Sequence, residues 1–212
     1  MSATDEAAAT FAGEGLGCIR GERIVFRDVN FAVEPGGALI LRGPNGSGKS
    51  SLLRLACGFL KPAAGRLTWG GADVRRDAWA MRTRISYVGH LDAVKTALSV
   101  AENVAFWAAF AGRKGGVQAA LERLDLGAMA DIPARLLSAG QRRRVNLARL
   151  AAAPAPLWLL DEPAVSLDEA SASALAQLMA EHRAGGGIVV AATHTELGLS
   201  EAAILDLGSA GP

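Results

Sequence analysis

The sequence predicts an α/β fold: a parallel sheet covered on both faces, a small antiparallel layer at one edge and an all-helical insertion. Three observations carry this. Ala38–Leu41, Ile85–Val88, Leu157–Leu160, Ile188–Ala192 and Ala203–Leu205 are short runs that are apolar or nearly so, as strands buried on both faces are. Helical stretches separate them, the order of a parallel sheet wrapped by helices. Between Gly89 and Ala153 no strand-like run occurs, and the helical segments there read as an insertion.

Taken in order, residues 1–15 are Ala-rich and carry Asp5, Glu6 and Glu14 but no Lys or Arg ahead of an apolar run. They do not resemble a secretory signal and read as a loose extension, leaving 16–212 as one domain. Gly17–Pro35 and Arg66–Asp73 are strand-like with turn signals and supply the antiparallel layer. Lys49–Cys57 follows the first apolar run as a helix closed by Gly58. Val100–Ala111, Val117–Leu126 and Ser138–Ala153 are the helices of the insertion, at about 90–153. Val100–Ala111 suits the core of that insertion. With Leu91–Leu98 it also suits a groove for a partner's helix, and the sequence does not separate the two uses.

A chain of 212 residues is one domain in length. Half of it is apolar but only 5% is aromatic, and alanine supplies 43 positions, so aliphatic side chains must build the core. Lys and Arg number 22 against 21 Asp and Glu, which leaves no whole-chain footprint for nucleic acid or an acidic lipid surface. Cys18 and Cys57 stand far apart with no Cys/His cluster, which fits a reducing compartment rather than a disulfide framework or a zinc site. No run reaches ~18 apolar residues, so action at a membrane requires another chain to span it.

Gly43-Pro44-Asn45-Gly46-Ser47-Gly48-Lys49-Ser50 matches G-x-x-x-x-G-K-[ST] between a strand and a helix, the context of a phosphate-binding loop. Its glycines turn backbone N–H groups inward at a helix N-terminus. Lys49 reaches the β- and γ-phosphates there, Ser50 offers its hydroxyl to Mg²⁺, and Ser51 completes the nucleotide-binding set. Asp161 and Glu162 emerge at the end of Leu157–Leu160. Asp161 suits Mg²⁺, directly or through water, and Glu162 suits the water that attacks the γ-phosphate, to orient or deprotonate it. His194 ends a neighbouring strand on the same sheet edge. Arg142-Arg143-Arg144 reads as a solvated, salt-bridged face of the helix after Ser138.

Ser138 with Gln141 forms a capping box. Leu137-Ser138-Ala139-Gly140-Gln141, lying between the loop and Asp161-Glu162, resembles the signature motif of the ATP-binding-cassette (ABC) ATPases. The resemblance implies a P-loop NTPase with a RecA-like core, ATP and Mg²⁺ as ligands, and a head-to-tail homodimer in the ATP-bound state. In it Ser138, Ala139, Gly140 and Gln141 face the ATP of the opposing protomer. Ser166-Leu167-Asp168 is similar to the family's D-loop, and His194 to its switch histidine, which joins Glu162 and Lys49 as catalytic. Two positions depart from the pattern. His90 stands where a glutamine is expected and becomes a candidate Mg²⁺ contact; Arg20 stands where an adenine-stacking aromatic is expected, and its guanidinium plane can stack on a base.

Tyr87-Val88-Gly89-His90, Lys95, Glu102-Asn103, Phe106-Trp107, the Ala139 form of the signature and Leu157–Pro163 together resemble the ATP-binding subunits of bacterial haem exporters used in cytochrome c maturation. That implies integral membrane partners of the CcmB and CcmC type and a peripheral place on the cytoplasmic face of the inner membrane. Two other readings stay open: the ATPase of another ABC transporter, or an ATP-dependent dimerising regulatory module with little turnover.

Overall fold

In the computed structural model, residues 9–153 and 155–208 are described, and they form two sheets. β1 (Phe11–Arg20), β2 (Arg23–Val33), β4 (Ala64–Trp69) and β5 (Ala72–Asp73) make an antiparallel layer in the order β2-β1-β4-β5. β3 (Ala38–Arg42), β6 (Ile85–Val88), β7 (Leu157–Asp161), β8 (Ile188–Ala192) and β9 (Ala203–Asp206) make a parallel sheet in the order β6-β7-β8-β3-β9. Every residue of β7 and β8 is buried, which is why both read as unbroken apolar runs. β9 lies at the sheet edge and is largely exposed, so its apolar sequence does not mark a covered strand.

Side chains alternate across a strand, and this divides the core. Trp158, Leu160, Val189 and Ala191 face one apolar cluster, with the helices of the insertion; Leu157, Leu159, Ile188 and Val190 face the other, with the antiparallel layer and α1 (Lys49–Ala56). α3 (Val100–Phe110) follows the short α2 (Ala78–Thr83), and each has a side-chain cap: Asp77 for α2 and a full Ser99/Glu102 capping box for α3. α4 (Val117–Arg123) stops short of the predicted Leu126, because Asp125 takes a left-handed conformation at φ 52°. α5 (Ala139–Ala152) begins at the Ser138/Gln141 capping box and α6 (Glu169–Ala184) at Asp168. No helix among the described residues is long and apolar enough to cross a membrane.

Of the expected extension, residues 1–8 lie outside the described residues, and Phe11–Gly15 are ordered as the first half of β1. Phe11 is 1% exposed, sits opposite Val33 and Trp69, and its ring lies 5.5 Å from that of Phe31. Burying such a side chain contributes about 1.5–3 kcal/mol. The partners that make this a strand are 20 or more positions away, beyond the reach of local composition. In α3, Val100, Asn103, Val104 and Ala108 are buried while Phe106 and Phe110 are exposed, so one face is core and the other is not. Cys18 and Cys57 are free and buried, and burial pushes the Cys57 thiol up to about 12.

His182 on α6 stacks on Trp158 at 3.8 Å with the rings 5° from parallel, and burial pushes its imidazole down to about 4. An unfolded imidazole takes its proton near ~6.5. The unfolded chain therefore binds the extra proton between those values, and the histidine's contribution to stability is complete above pH ~6.5 and lost as pH falls toward 4. His182→Phe, which keeps a ring against Trp158, is expected to show a flatter fall in Tm between pH 7 and 4.5 than the parent chain; parallel curves would remove His182 as the source.

Candidate nucleotide-binding site

The turn after β3 requires a backbone that side chains resist. Gly43, Gly46 and Gly48 have φ of 136°, 85° and 102°. At Gly48, the N-cap of α1, a Cβ would also fall 2.6 Å from Val25 and 2.8 Å from Phe26. This left-handed cap sets Lys49 as the first helical residue. Lys49 is buried, and its Nζ donates to the carbonyls of Gly43 (2.6 Å) and Pro44 (3.1 Å). Ser47 Oγ is buried with no hydrogen-bond partner among the described residues, an orphan donor that an oxyanion would satisfy.

A cleft of about 420 Å³ opens over this loop. It brings together Arg20, Asn45, Gly46, Gly48, Lys49, Ser50, Ser51, His90, Asp161 and Glu162, ten of the residues predicted from sequence. Gly43, Pro44 and Ser47 shape the loop without lining the cleft. Asp161 is 3% exposed at the end of β7. Glu162 turns away from the strand direction in a left-handed conformation at φ 49°, and His194 Nε2 lies 3.7 Å from its Oε1. His194 is half exposed and touches the site through Glu162 rather than lining the cleft. Arg23 and Val25 also line it; the tight hairpin that pairs Arg20 with Arg23 carried the signal for that second arginine.

A separate cleft of about 280 Å³ is lined by Ser138, Gly140, Gln141, Arg144, Ser166, Leu167, Asp168 and Ser171. No residue lines both clefts. Ala139 opens α5 but does not line this one. A Cβ on Gly140 would meet the Ser166 carbonyl at 2.7 Å, so only glycine lets α5 come this close to the segment before α6. Asp168 accepts from the Ser171 amide at 2.8 Å, and hydrogen bonding at Ser171 holds its carboxyl below the ordinary range.

The arginine run is not one solvated face. Successive helical residues point about 100° apart, so Arg143 falls on the side of Asn146 and Leu147. It is 3% exposed and paired with Asp92 at 3.0 Å. Arg142 reaches the Leu137 carbonyl, and Arg144 the Asp125 carboxylate and the carbonyls of Leu124 and Asp125.

A profile of the ABC transporter family matches residues 26–165. A cytochrome c biogenesis ATP-binding export protein CcmA from Rhodospirillum rubrum is 58% identical over 98% of this chain and 89% of its own. The CcmA of Paramagnetospirillum magneticum is 53% identical over 94% of each chain. The chain belongs to the CcmA family of ABC transporter ATP-binding proteins. Its fold matches a solved ATP-binding subunit of an ABC transporter with a TM-score of 0.84 at 23% identity, covering 93% of this chain and 86% of that one. Within this CcmA-family chain, the loop over Lys49 and the strand-end carboxylates face one cleft, while the LSAGQ segment faces another.

Gly48→Ala tests the loop's geometry. The strained φ and the two contacts are expected to cost about 1–3 kcal/mol, read as a lower Tm, and to abolish the Tm rise that ATP gives the parent chain. A variant still stabilised by ATP would show that the left-handed cap is dispensable.

Proposed function

We propose that this chain is the ATP-hydrolysing subunit of an ABC-type haem exporter that serves cytochrome c biogenesis. The observation that carries the chemistry is the single cleft shared by Lys49, Ser50, Asp161 and Glu162. Its assignment to cytochrome c biogenesis rests on similarity to CcmA proteins along nearly the whole chain.

The N-terminus of α1 and the loop amides receive the phosphates. Lys49 exchanges its contacts with the Gly43 and Pro44 carbonyls for the β- and γ-phosphate oxygens. Ser50 and Asp161 are hard oxygen donors of the kind Mg²⁺ takes together with substrate phosphates, and an ion held by them would supply neutralisation of the phosphate charge. His90, which lines the same cleft, would serve there as a hydrogen-bond partner rather than as a ligand, since imidazole is a poor match for magnesium. Arg20, with Arg23 beside it, stacks on the adenine.

Glu162 takes a proton from water as the water oxygen attacks the γ-phosphorus. The bond to the β-phosphate oxygen breaks, leaving ADP and phosphate. His194 holds the Glu162 carboxylate and reaches the γ-phosphate. The second cleft, with Ser138, Gly140 and the Ser166–Asp168 segment, closes over the γ-phosphate of another copy, so a head-to-tail homodimer encloses two ATP molecules. Closing and reopening moves integral membrane subunits of the CcmB and CcmC type, with this chain peripheral on the cytoplasmic face of the inner membrane.

Glu162→Gln is expected to bind ATP as the parent does, hydrolyse it more than tenfold more slowly and accumulate as an ATP-bound dimer in size-exclusion chromatography; unchanged turnover would remove Glu162 as the base. Arg20→Ala is expected to weaken ATP binding several-fold with little change in Tm. Equal affinity in a nucleotide titration would end the stacking role.

A further inference from the structure

The guanidinium of Arg143 is buried with every N–H committed. Nε donates to the Pro163 carbonyl (3.1 Å), Nη1 to the Gly89 carbonyl (2.9 Å) and Asp92 Oδ1 (3.0 Å), and Nη2 to the carbonyls of Asp161 (3.0 Å) and Glu162 (2.7 Å). Five donors meet five acceptors, the full capacity of the side chain. Asp92 balances the charge, and the other four N–H groups, being buried, need acceptors of their own. That three of them fall on the consecutive carbonyls of Asp161, Glu162 and Pro163 needs an explanation.

Glu162 supplies it. Its left-handed backbone, at φ 49°, is one that a residue with a Cβ avoids unless its surroundings hold it there. The Glu162 amide donates to the Ala192 carbonyl at 2.8 Å, and the Glu162 carbonyl accepts from Arg143. The residue is thus gripped on both sides, and its carboxylate faces the cleft. Gly89 and Asp92 flank His90, which lines the same cleft, and Asp92 is also held by Asn146 Nδ2 at 3.2 Å, one turn further along α5.

We propose that Arg143 is a positioning residue for Glu162. It fixes the carbonyls on either side of the strained peptide, and through Gly89 and Asp92 it fixes the segment carrying His90, so that α5 sets the aim of the base. The proposal rests on the reading of Glu162 as the base. Lysine has the charge but lacks the planar fork and two of the five donors.

The test is single-turnover ATP hydrolysis by the full chain, in the parent and in a Glu162→Gln background. Arg143→Lys is expected to slow the parent at least tenfold while the Kd for ATP stays within threefold. In the Glu162→Gln background it is expected to slow the residual reaction less than twofold, because the group it aims is already disabled. The same fold-loss in both backgrounds, or a loss of ATP affinity in step with rate, overturns the positioning role and leaves Glu162 as the base. A Glu162→Gln chain as fast as the parent overturns the underlying reading. If Arg143→Lys does not fold, Asp92→Asn carries the test: at least threefold slowing in the parent and none in the Glu162→Gln chain supports the proposal, and equal slowing in both overturns it.

Discussion

Parallel pairing of β3, β8 and β7 in one register is the constraint on which the site depends. Leu41 is level with Ala192, and Ala192 with Asp161, so three connections leave the sheet from a single row. The phosphate loop begins just past the first strand, His194 lies past the second and Glu162 past the third. With strands about 4.8 Å apart, the loop and the carboxylates stand roughly 10 Å from one another before any side chain extends. That is a distance a triphosphate and a metal ion can bridge. A slip of one residue would turn every apolar side chain of β7 and β8 to the opposite cluster, so the two-sided core enforces the register that the chemistry needs.

α5 joins the two clefts. Its first turn carries Gly140 against the Ser166 carbonyl, and Arg143, about 4.5 Å further along the axis, reaches the carbonyls beside Glu162. A helix is stiff over that length. On the proposed role of Arg143, a displacement of the LSAGQ end is therefore carried to the peptide that aims the Glu162 carboxylate. Directed hydrogen bonds tie the insertion to the sheet here and again further along α5, where Arg149 donates to the Tyr87 carbonyl.

Much of this was legible in the sequence because the signals were local. The phosphate loop needs glycines and a lysine at fixed spacing, the capping boxes need a pair three residues apart, and buried parallel strands need unbroken apolar runs. What escaped notice depends on partners far along the chain. Phe11 is a strand residue because of Val33 and Trp69; Arg23 is the local exception, returned beside Arg20 by a tight hairpin whose signal the sequence does carry. Arg143 was hidden in a basic run whose three members face three directions, and its acceptors are carbonyls, which no sequence pattern displays. The short α2 has only six residues and one buried side chain, too little periodicity to see.

Two adjacent carboxylates need different surroundings to do different work. Asp161 is the last residue of an extended, fully buried strand, and its neighbour faces the cleft only because the backbone changes hand at that residue. The left-handed turn costs about 1–2 kcal/mol. A hydrogen bond from a buried guanidinium to the Glu162 carbonyl, and one from the Glu162 amide to Ala192, are each of a size to offset it. On the proposed reading, the division of labour between a metal-facing aspartate and a water-facing glutamate rests on a single backbone torsion, held by a residue of the helical insertion.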